Sequence, residues 1–471
     1  MILLTVWDGL RPDLVCDELT PYLARQSEAG VFCQHSHAVW PSATRINAAS
    51  LSTGCQPGKH GLVDNELYVP AVDPQAPISC ADWRALQALA DAEQGRLLTA
   101  PTLPELLAQR GRRFVSAGSG SPGTTYLTNP TVTAPIVNWA VAWPRAFEAE
   151  LVEEHGGLLT ESASSAERNR QVIATLRDVL IPRDRPDVVT LWITEPDHAQ
   201  HGHGIRSPEA VEALRQVDAE VAALVQYLER ALPEPLTVFC LSDHGFETIG
   251  PDLSVTAALI GAGFKASASS PDVVPAGCSL YLNDETLPRV GELATWLLTQ
   301  PWVSGVFVRD DLLTACPGAL PQSAVGGSHA RSAPIMYSPR WSDECNTYGV
   351  PGMVAGHPGG SVATHGSTSP YALRNTLVAW GAGIRTGLVS DVPCGLVDVA
   401  PTVLHMLGIK PPKTMDGRVL HELLTDGPWA ADLRPSTFAR QSAAEGCRQV
   451  AWYSAVGTHT YLDHTLIEPA G

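Results

Sequence analysis

Leu236-Thr237-Val238-Phe239-Cys240-Leu241-Ser242-Asp243-His244-Gly245 decides the fold. Its apolar run carries no alternation, which marks a strand buried on both faces, and an adjacent acid and imidazole follow where the strand ends. The layout recurs at Ile2-Leu3-Leu4-Thr5-Val6-Trp7, which runs into Asp8-Gly9. It recurs again at Thr190-Leu191-Trp192-Ile193-Thr194, which runs into Glu195-Pro196-Asp197-His198-Ala199-Gln200-His201. Doubly buried strands belong to parallel sheets covered by helices, and such sheets collect ligands at the carboxyl ends of their strands. An α/β fold with a mostly parallel sheet and helices on both faces is therefore expected.

Working outward, strands are expected at 2–7, 31–36, 113–117, 187–194, 236–242 and 376–380, and helices at 101–110, 163–180, 208–231 and 396–407. Two stretches break the rhythm. Residues 64–100 are loop-rich around a short helix near 82–94. Residues 251–360 are rich in Gly, Pro and Ser, with strands near 278–283 and 303–308 flanking a helix at 286–299, and read as a small inserted α+β cap. The expected organisation is a catalytic core from 1–250 and 361–471, interrupted by a cap over 251–360.

The chain of 471 residues is 44% hydrophobic, enough for a large core, and carries a formal charge of −18. That charge argues against binding a nucleic-acid polymer or an anionic membrane surface, while a small anionic substrate stays compatible if bound cations reverse the local field. No apolar run approaches the roughly 18–20 residues that span a bilayer. The first residues lack a basic segment and read as a buried strand. Ten cysteines are scattered without CxxC pairs, so a reduced, cytoplasmic protein is expected.

Carboxylate oxygen and imidazole nitrogen are ligands for Zn²⁺ or Mn²⁺. Asp8 would project from its strand end, though alone it reads equally as a turn cap. Asp197 and His201 are four residues apart, a spacing that one helical turn brings to the same ion, with His198 and His203 as nearby competitors. Asp243 and His244 need an irregular backbone to converge. His365, in Thr364-His365-Gly366-Ser367, is by itself the kind of loop histidine that is more often structural. In Trp40-Pro41-Ser42-Ala43-Thr44-Arg45-Ile46-Asn47, a helix over 45–53 ended by Gly54 would place Thr44 at its N-terminus, where an anion is favoured. The plain alternative is an N-cap threonine.

The order Asp8-Gly9, Pro41-Ser42-Ala43-Thr44, His60-Gly61-Leu62-Val63-Asp64-Asn65, Glu195-Pro196-Asp197 to His201, Asp243-His244-Gly245 and His365-Gly366 resembles the alkaline phosphatase superfamily. Within it the chain is most similar to the type I phosphodiesterase/nucleotide pyrophosphatase group, with phosphonoacetate hydrolase as a near neighbour. The resemblance implies two divalent ions, zinc favoured over manganese by the mixed His and Asp ligands. One would be held by Asp197, His201 and His365, the other by Asp8, Asp243 and His244 with Thr44 bridging toward it. It implies that Thr44 attacks phosphorus and that water releases the phospho-threonine, with Asn65 and the Thr44 N–H binding a phosphoryl oxygen.

Departures bear on substrate. Where nucleotide-cleaving relatives carry Thr-Phe-Pro-Asn, this chain has Thr44-Arg45-Ile46-Asn47, and Arg45 reads either as a solvated helix-surface arginine or as a contact to a second anionic group on a small phosphate or phosphonate substrate. The expected function is a phosphodiesterase, the alternatives being a phosphonoacetate hydrolase-like enzyme, a phosphomonoesterase, or an inactive metal-binding relative. A sulfatase would need a Cys-x-Pro-x-Arg element that residues 40–54 lack. Tyr68, Trp83, Arg331 and His357 are the expected contacts from the loop-rich stretch and the cap.

Overall fold

In the computed structural model, residues 1–155, 157–356, 360–429 and 433–469 are described. A nine-stranded mixed sheet forms the centre, in the order Leu388–Ser390, Val31–Cys33, Leu377–Gly381, Thr237–Leu241, Ile2–Trp7, Val188–Ile193, Phe114–Gly118, Ile136–Asn138 and Ala142–Trp143. The strands Thr237–Leu241, Ile2–Trp7, Val188–Ile193 and Phe114–Gly118 are consecutive and parallel, whereas Leu377–Gly381 runs antiparallel to both its neighbours.

The unbroken apolar runs now have their reason. Ile2, Leu4 and Val6 enter one core with the helices Thr44–Thr53, Leu103–Ala108 and Val399–Met406. Leu3 and Trp7 enter the other core with Pro21–Ala29, Ser165–Thr175 and Pro208–Ala231. Alternate side chains point to opposite faces, both faces are covered, and no position can be polar without cost. The long helix forms over the expected residues 208–231. Ser207 accepts the Ala210 N–H, Pro208 opens the first turn, and Ala210, Leu214, Val217, Val221, Leu224 and Leu228 line the buried face.

Some elements are cut differently. The strand expected over 31–36 stops at Cys33, and Ser36–His37 pairs instead with Cys394–Gly395. The helix expected over 163–180 is regular only over Ser165–Thr175, then widens over Leu176–Leu180.

Within 251–360, Val273–Ala276, Ser279–Leu282, Ile335–Pro339, Val303–Val308 and Leu320–Pro321 form a five-stranded sheet against the helix Leu287–Leu298. No strand is expected from the sequence beyond residue 407. Yet Pro435–Ala444, Cys447–Val456 and His459–Pro469 form an antiparallel meander. It packs on the five-stranded sheet: Gln449 Oε1 accepts the Val306 N–H at 2.9 Å, and Cys447 and Ile467 share a core with Leu293 and Val306. Its first strand is exposed on nearly every residue, so it carries no apolar alternation to read. Among the described residues, no helix is long and apolar enough to cross a membrane.

Candidate active site

Three neighbouring parallel strands deliver the acids. Val6 lies level with Leu241 on one side and Trp192 on the other, so Asp8, Asp243 and the loop to Asp197 emerge at one edge. Asp197 opens the helix Asp197–His203, whose turn puts His201 Nε2 3.3 Å from Asp197 Oδ1. His198 and His203 are exposed and belong to neither group of converging ligands. His365 arrives by strand pairing: Thr364 pairs with Glu247, three residues beyond His244, and His365 Nε2 lies 3.5 Å from Asp197 Oδ1. Beyond Leu241 the backbone is irregular, and Asp243 Oδ2 comes within 3.2 Å of His244 Nε2. Gly245 is needed there for room rather than for an unusual φ, because a Cβ would sit 2.0 Å from the Tyr371 carbonyl oxygen.

His244 is the hinge of the site. Its Nε2 lies 3.4 Å from Asp8 Oδ1 and 3.2 Å from Thr44 Oγ1, and its ring stacks on His365 at 3.8 Å. Two groups of side chains converge closely enough to hold an ion, Asp8, Asp243 and His244 in one and Asp197, His244 and His365 in the other.

The donor set fits divalent metal on three grounds. First, His201, His244 and His365 each turn Nδ1 to a backbone carbonyl, of Ala363, Gly245 and Ser42. An Nδ1–H donated there leaves Nε2 as a lone pair, the arrangement of metal-binding histidine. Second, Asp8 Oδ1, Asp197 Oδ1 and Asp243 Oδ2 are buried with no hydrogen-bond partner, and these are the oxygens that face the Nε2 atoms. Lone pair against lone pair in a buried site is unfavourable unless a cation sits between. Third, separations of 3.2–3.5 Å between ligand atoms match the edge of about 3.3 Å expected for a tetrahedron with bonds near 2.0–2.1 Å.

The titration directions divide the site, His201 being raised, against the effect of burial, by Asp197. Burial, with Asp243 and Asp197 nearby, pushes the Asp8 carboxyl well up, and burial likewise raises Asp243 despite His244. Burial would also raise Asp197, but His201, His365 and His244 hold it well below the usual range. His365 is driven well down by burial and by His244.

Thr44 is the first residue of the helix Thr44–Thr53, which ends at Gly54 in the left-handed region (φ 65°). No N-cap side chain satisfies that helix. Asn65 does so from a distance, its Oδ1 accepting the Arg45 N–H at 3.0 Å. The remaining hydrogen-bonding group of Asn65 is then its NH₂ donor.

Several supporting residues escaped the sequence reading. Trp192 Nε1–H donates to Asp8 Oδ2 at 2.9 Å, although its strand reads only as core. Ser42 ties the loop before Thr44 to the His365 loop: its hydroxyl donates to the Ser367 carbonyl at 2.8 Å and accepts the Gly366 N–H at 3.2 Å, beside the Ser42 carbonyl that His365 meets. Phe246 packs edge-on against His201 and His365. The Ser42 signal lies in Pro41-Ser42, before the helix; the other two have none outside the fold. Of the expected outer contacts, Tyr68 packs on Tyr281 and Trp83 on Trp143. Arg331 is engaged by Glu93 and by the Gly61 and Leu97 carbonyls, and His357 lies outside the described residues.

The fold is alkaline-phosphatase-like, with a candidate metal site at one edge of its sheet. A model of the type I phosphodiesterase / nucleotide pyrophosphatase family matches residues 2–259, and the chain belongs to that family. Venom phosphodiesterase 2 of Crotalus adamanteus is 24% identical over 255 residues, which span 53% of this chain but only 27% of that protein. The wild-type alkaline phosphatase PafA superposes with a TM-score of 0.67 at 18% identity, over 90% of this chain and 98% of its own. An inactive variant of murine ectonucleotide pyrophosphatase / phosphodiesterase 5, in complex with AMP, superposes with a TM-score of 0.59 at 17% identity, over 87% of this chain and 96% of its own.

Proposed function

We propose that this protein is a metal-dependent hydrolase of phosphoric esters, of the phosphodiesterase type, acting through a phospho-threonine on Thr44. The observation that carries this reading is the hydroxyl of Thr44, 3.2 Å from His244 Nε2 and at a helix N-terminus, beside three buried carboxylate oxygens that have no partner. The family membership and the AMP complex of a fold neighbour support a small phosphate ester as substrate.

Asp197, His201 and His365 would hold one divalent ion, and Asp8, Asp243 and His244 the other, with zinc the proposed metal because the ligands mix imidazole and carboxylate. When bound, such ions neutralise charge on the reacting oxygens and make a hydroxyl nucleophilic at neutral pH. The chain's own groups do the rest. The Thr44 hydroxyl releases its proton to solvent and its Oγ forms a bond to phosphorus as the bond to the ester oxygen breaks, the electron pair leaving with that oxygen. Water then replaces Thr44 at phosphorus and returns the hydroxyl. The helix N-terminus and the Asn65 NH₂ group hold the phosphoryl oxygens during both displacements.

The test is hydrolysis of bis(p-nitrophenyl) phosphate and p-nitrophenyl phosphate by protein of known metal content, with and without chelator. Close to two equivalents of metal and chelator-sensitive turnover lost in Thr44→Ala are expected. Unimpaired turnover in Thr44→Ala would overturn the nucleophile, and absence of turnover in metal-loaded protein would overturn the function.

A further inference from the structure

We propose that Arg45, next to Thr44 and resting on Ser121, is a specificity-determining residue. It would select substrates with a second negative charge close to phosphorus, whether on the phosphoryl group itself or on a neighbouring phosphate or carboxylate, over singly charged diesters. This rests on the hydrolase reading above.

Arg45 directly follows Thr44, and its N–H is fixed by Asn65 Oδ1. Its guanidinium Nη2 donates to Ser121 Oγ at 3.2 Å. Ser121 is itself held, pairing with Thr124 Oγ1 at 2.8 Å and accepting the Thr124 N–H at 3.3 Å. The Nε of Arg45 is buried without a hydrogen-bond partner, and no carboxylate lies within ion-pair distance of the guanidinium among the described residues.

Buried Arg11 and half-buried Arg418 are more fully bonded than half-buried Arg45, while half-buried Arg168 likewise keeps its Nε without a partner but packs over the Trp139 ring. Arg11 meets Asp13 and the carbonyls of Phe246 and Pro351. Arg418 meets Glu422, the Pro393 carbonyl and Tyr461. A guanidinium has five N–H donors in a planar fork that suits carboxylate and phosphate, and Arg45 uses one of them, on a neutral hydroxyl.

Helix stability does not explain the residue, because a cation in the first turn opposes the positive end of the helix dipole. Cation and dipole add at one point. A Cβ at Gly120, the residue before Ser121, would meet nothing nearer than Thr194 Oγ1 and Trp192 Cδ1 at 3.9 Å, and Trp192 is the residue bonded to Asp8.

The experiment measures kcat/KM in metal-loaded wild type, Arg45→Gln and Arg45→Lys for four compounds. These are p-nitrophenyl phosphate, ATP (followed as release of AMP), phosphonoacetate and bis(p-nitrophenyl) phosphate. The ratio of the preferred doubly charged substrate to bis(p-nitrophenyl) phosphate is expected to fall about 10- to 100-fold in Arg45→Gln, the worth of one contact to a charged group, and less in Arg45→Lys. Which of the three ratios falls identifies where the second charge sits. In parallel, calorimetry in a Thr44→Ala background compares binding of phenyl phosphate and diphenyl phosphate with and without Arg45→Gln, and only phenyl phosphate should weaken. Unchanged ratios, or equal weakening of both ligands, would overturn the proposal. If wild type hydrolyses none of the four, the hydrolase reading fails, and calorimetry still decides whether Arg45 discriminates by charge.

Discussion

Two clusters of buried charge in this protein look alike in composition and differ in satisfaction. Around Asp398, every group is paired. Its Oδ1 accepts the Arg418 N–H at 2.7 Å, and its Oδ2 accepts the Gly395 N–H and the Tyr461 hydroxyl, each at 2.8 Å. Arg418 in turn bonds Glu422. Around His244, Asp8, Asp197 and Asp243 each keep one buried oxygen without a partner, facing imidazole nitrogens whose other side is already bound. The first cluster is a staple between the segment 395–422 and the C-terminal meander. The second keeps the unpaired oxygens that the proposed metal ions would take, and what separates a candidate site from a staple is the unsatisfied remainder rather than the number of acids.

The comparison can be broken in order of expected effect. Thr44→Ala should cut turnover by about 10³-fold or more with thermal stability and metal content nearly unchanged, read by steady-state kinetics beside elemental analysis. Arg418→Ala leaves Glu422 and Asp398 buried and uncompensated, and should cost about 3–5 kcal/mol of stability whether or not metal is present. Denaturant unfolding with and without chelator checks this, and a metal-dependent loss would mean the staple is part of the site.

Asp243→Asn should do the reverse. It removes a buried charge whose Oδ2 has no hydrogen-bond partner, while Oδ1 can still accept the Gly9 N–H, so metal-free protein should gain roughly 1–2 kcal/mol while metal content falls. A loss of stability in the metal-free variant would show that the oxygen is satisfied after all.

The smallest effect is a pH profile. Burial lifts the Glu247 carboxyl from 4.5 to about 7 although Ser369 and Ser367 donate to it, and one of its oxygens has no partner. The folded state then retains a proton that the unfolded chain releases. This contribution to stability is therefore full below about pH 4.5 and is lost as pH rises through about 7. Metal-free Glu247→Gln should match wild type at low pH and exceed it at pH above this window. Asp64, also lifted to about 7 by burial, titrates in the same window, so the melting curve against pH should flatten without becoming level. Parallel curves for the two proteins would exclude the assignment.

Much of the site was legible because strand ends announce themselves. An apolar run that stops at an acid fixes where that acid emerges, and this was readable for Asp8, Asp197 and Asp243. His365 was not readable in the same way. Its loop carries no strong periodic signal, and it reaches the site only because Thr364 pairs with Glu247. Asn65 could be placed by motif, but its second task, capping the helix of Thr44 through the Arg45 N–H, joins residues twenty apart by a contact no local pattern encodes. The C-terminal meander stayed hidden for another reason. Its first strand is exposed almost throughout, so burial, which writes the hydrophobic period, left none to read.

By itself the sequence determined the class of sheet, the ends from which ligands emerge, and the kinds of atom available there, because burial on both faces and the strand period act locally along the chain. Only the tertiary structure decided which oxygens go unpaired, which nitrogen of each histidine is free, and that Arg45 lacks a counter-charge. Those depend on partners hundreds of residues away, where satisfaction is a property of the packed interior and not of any segment.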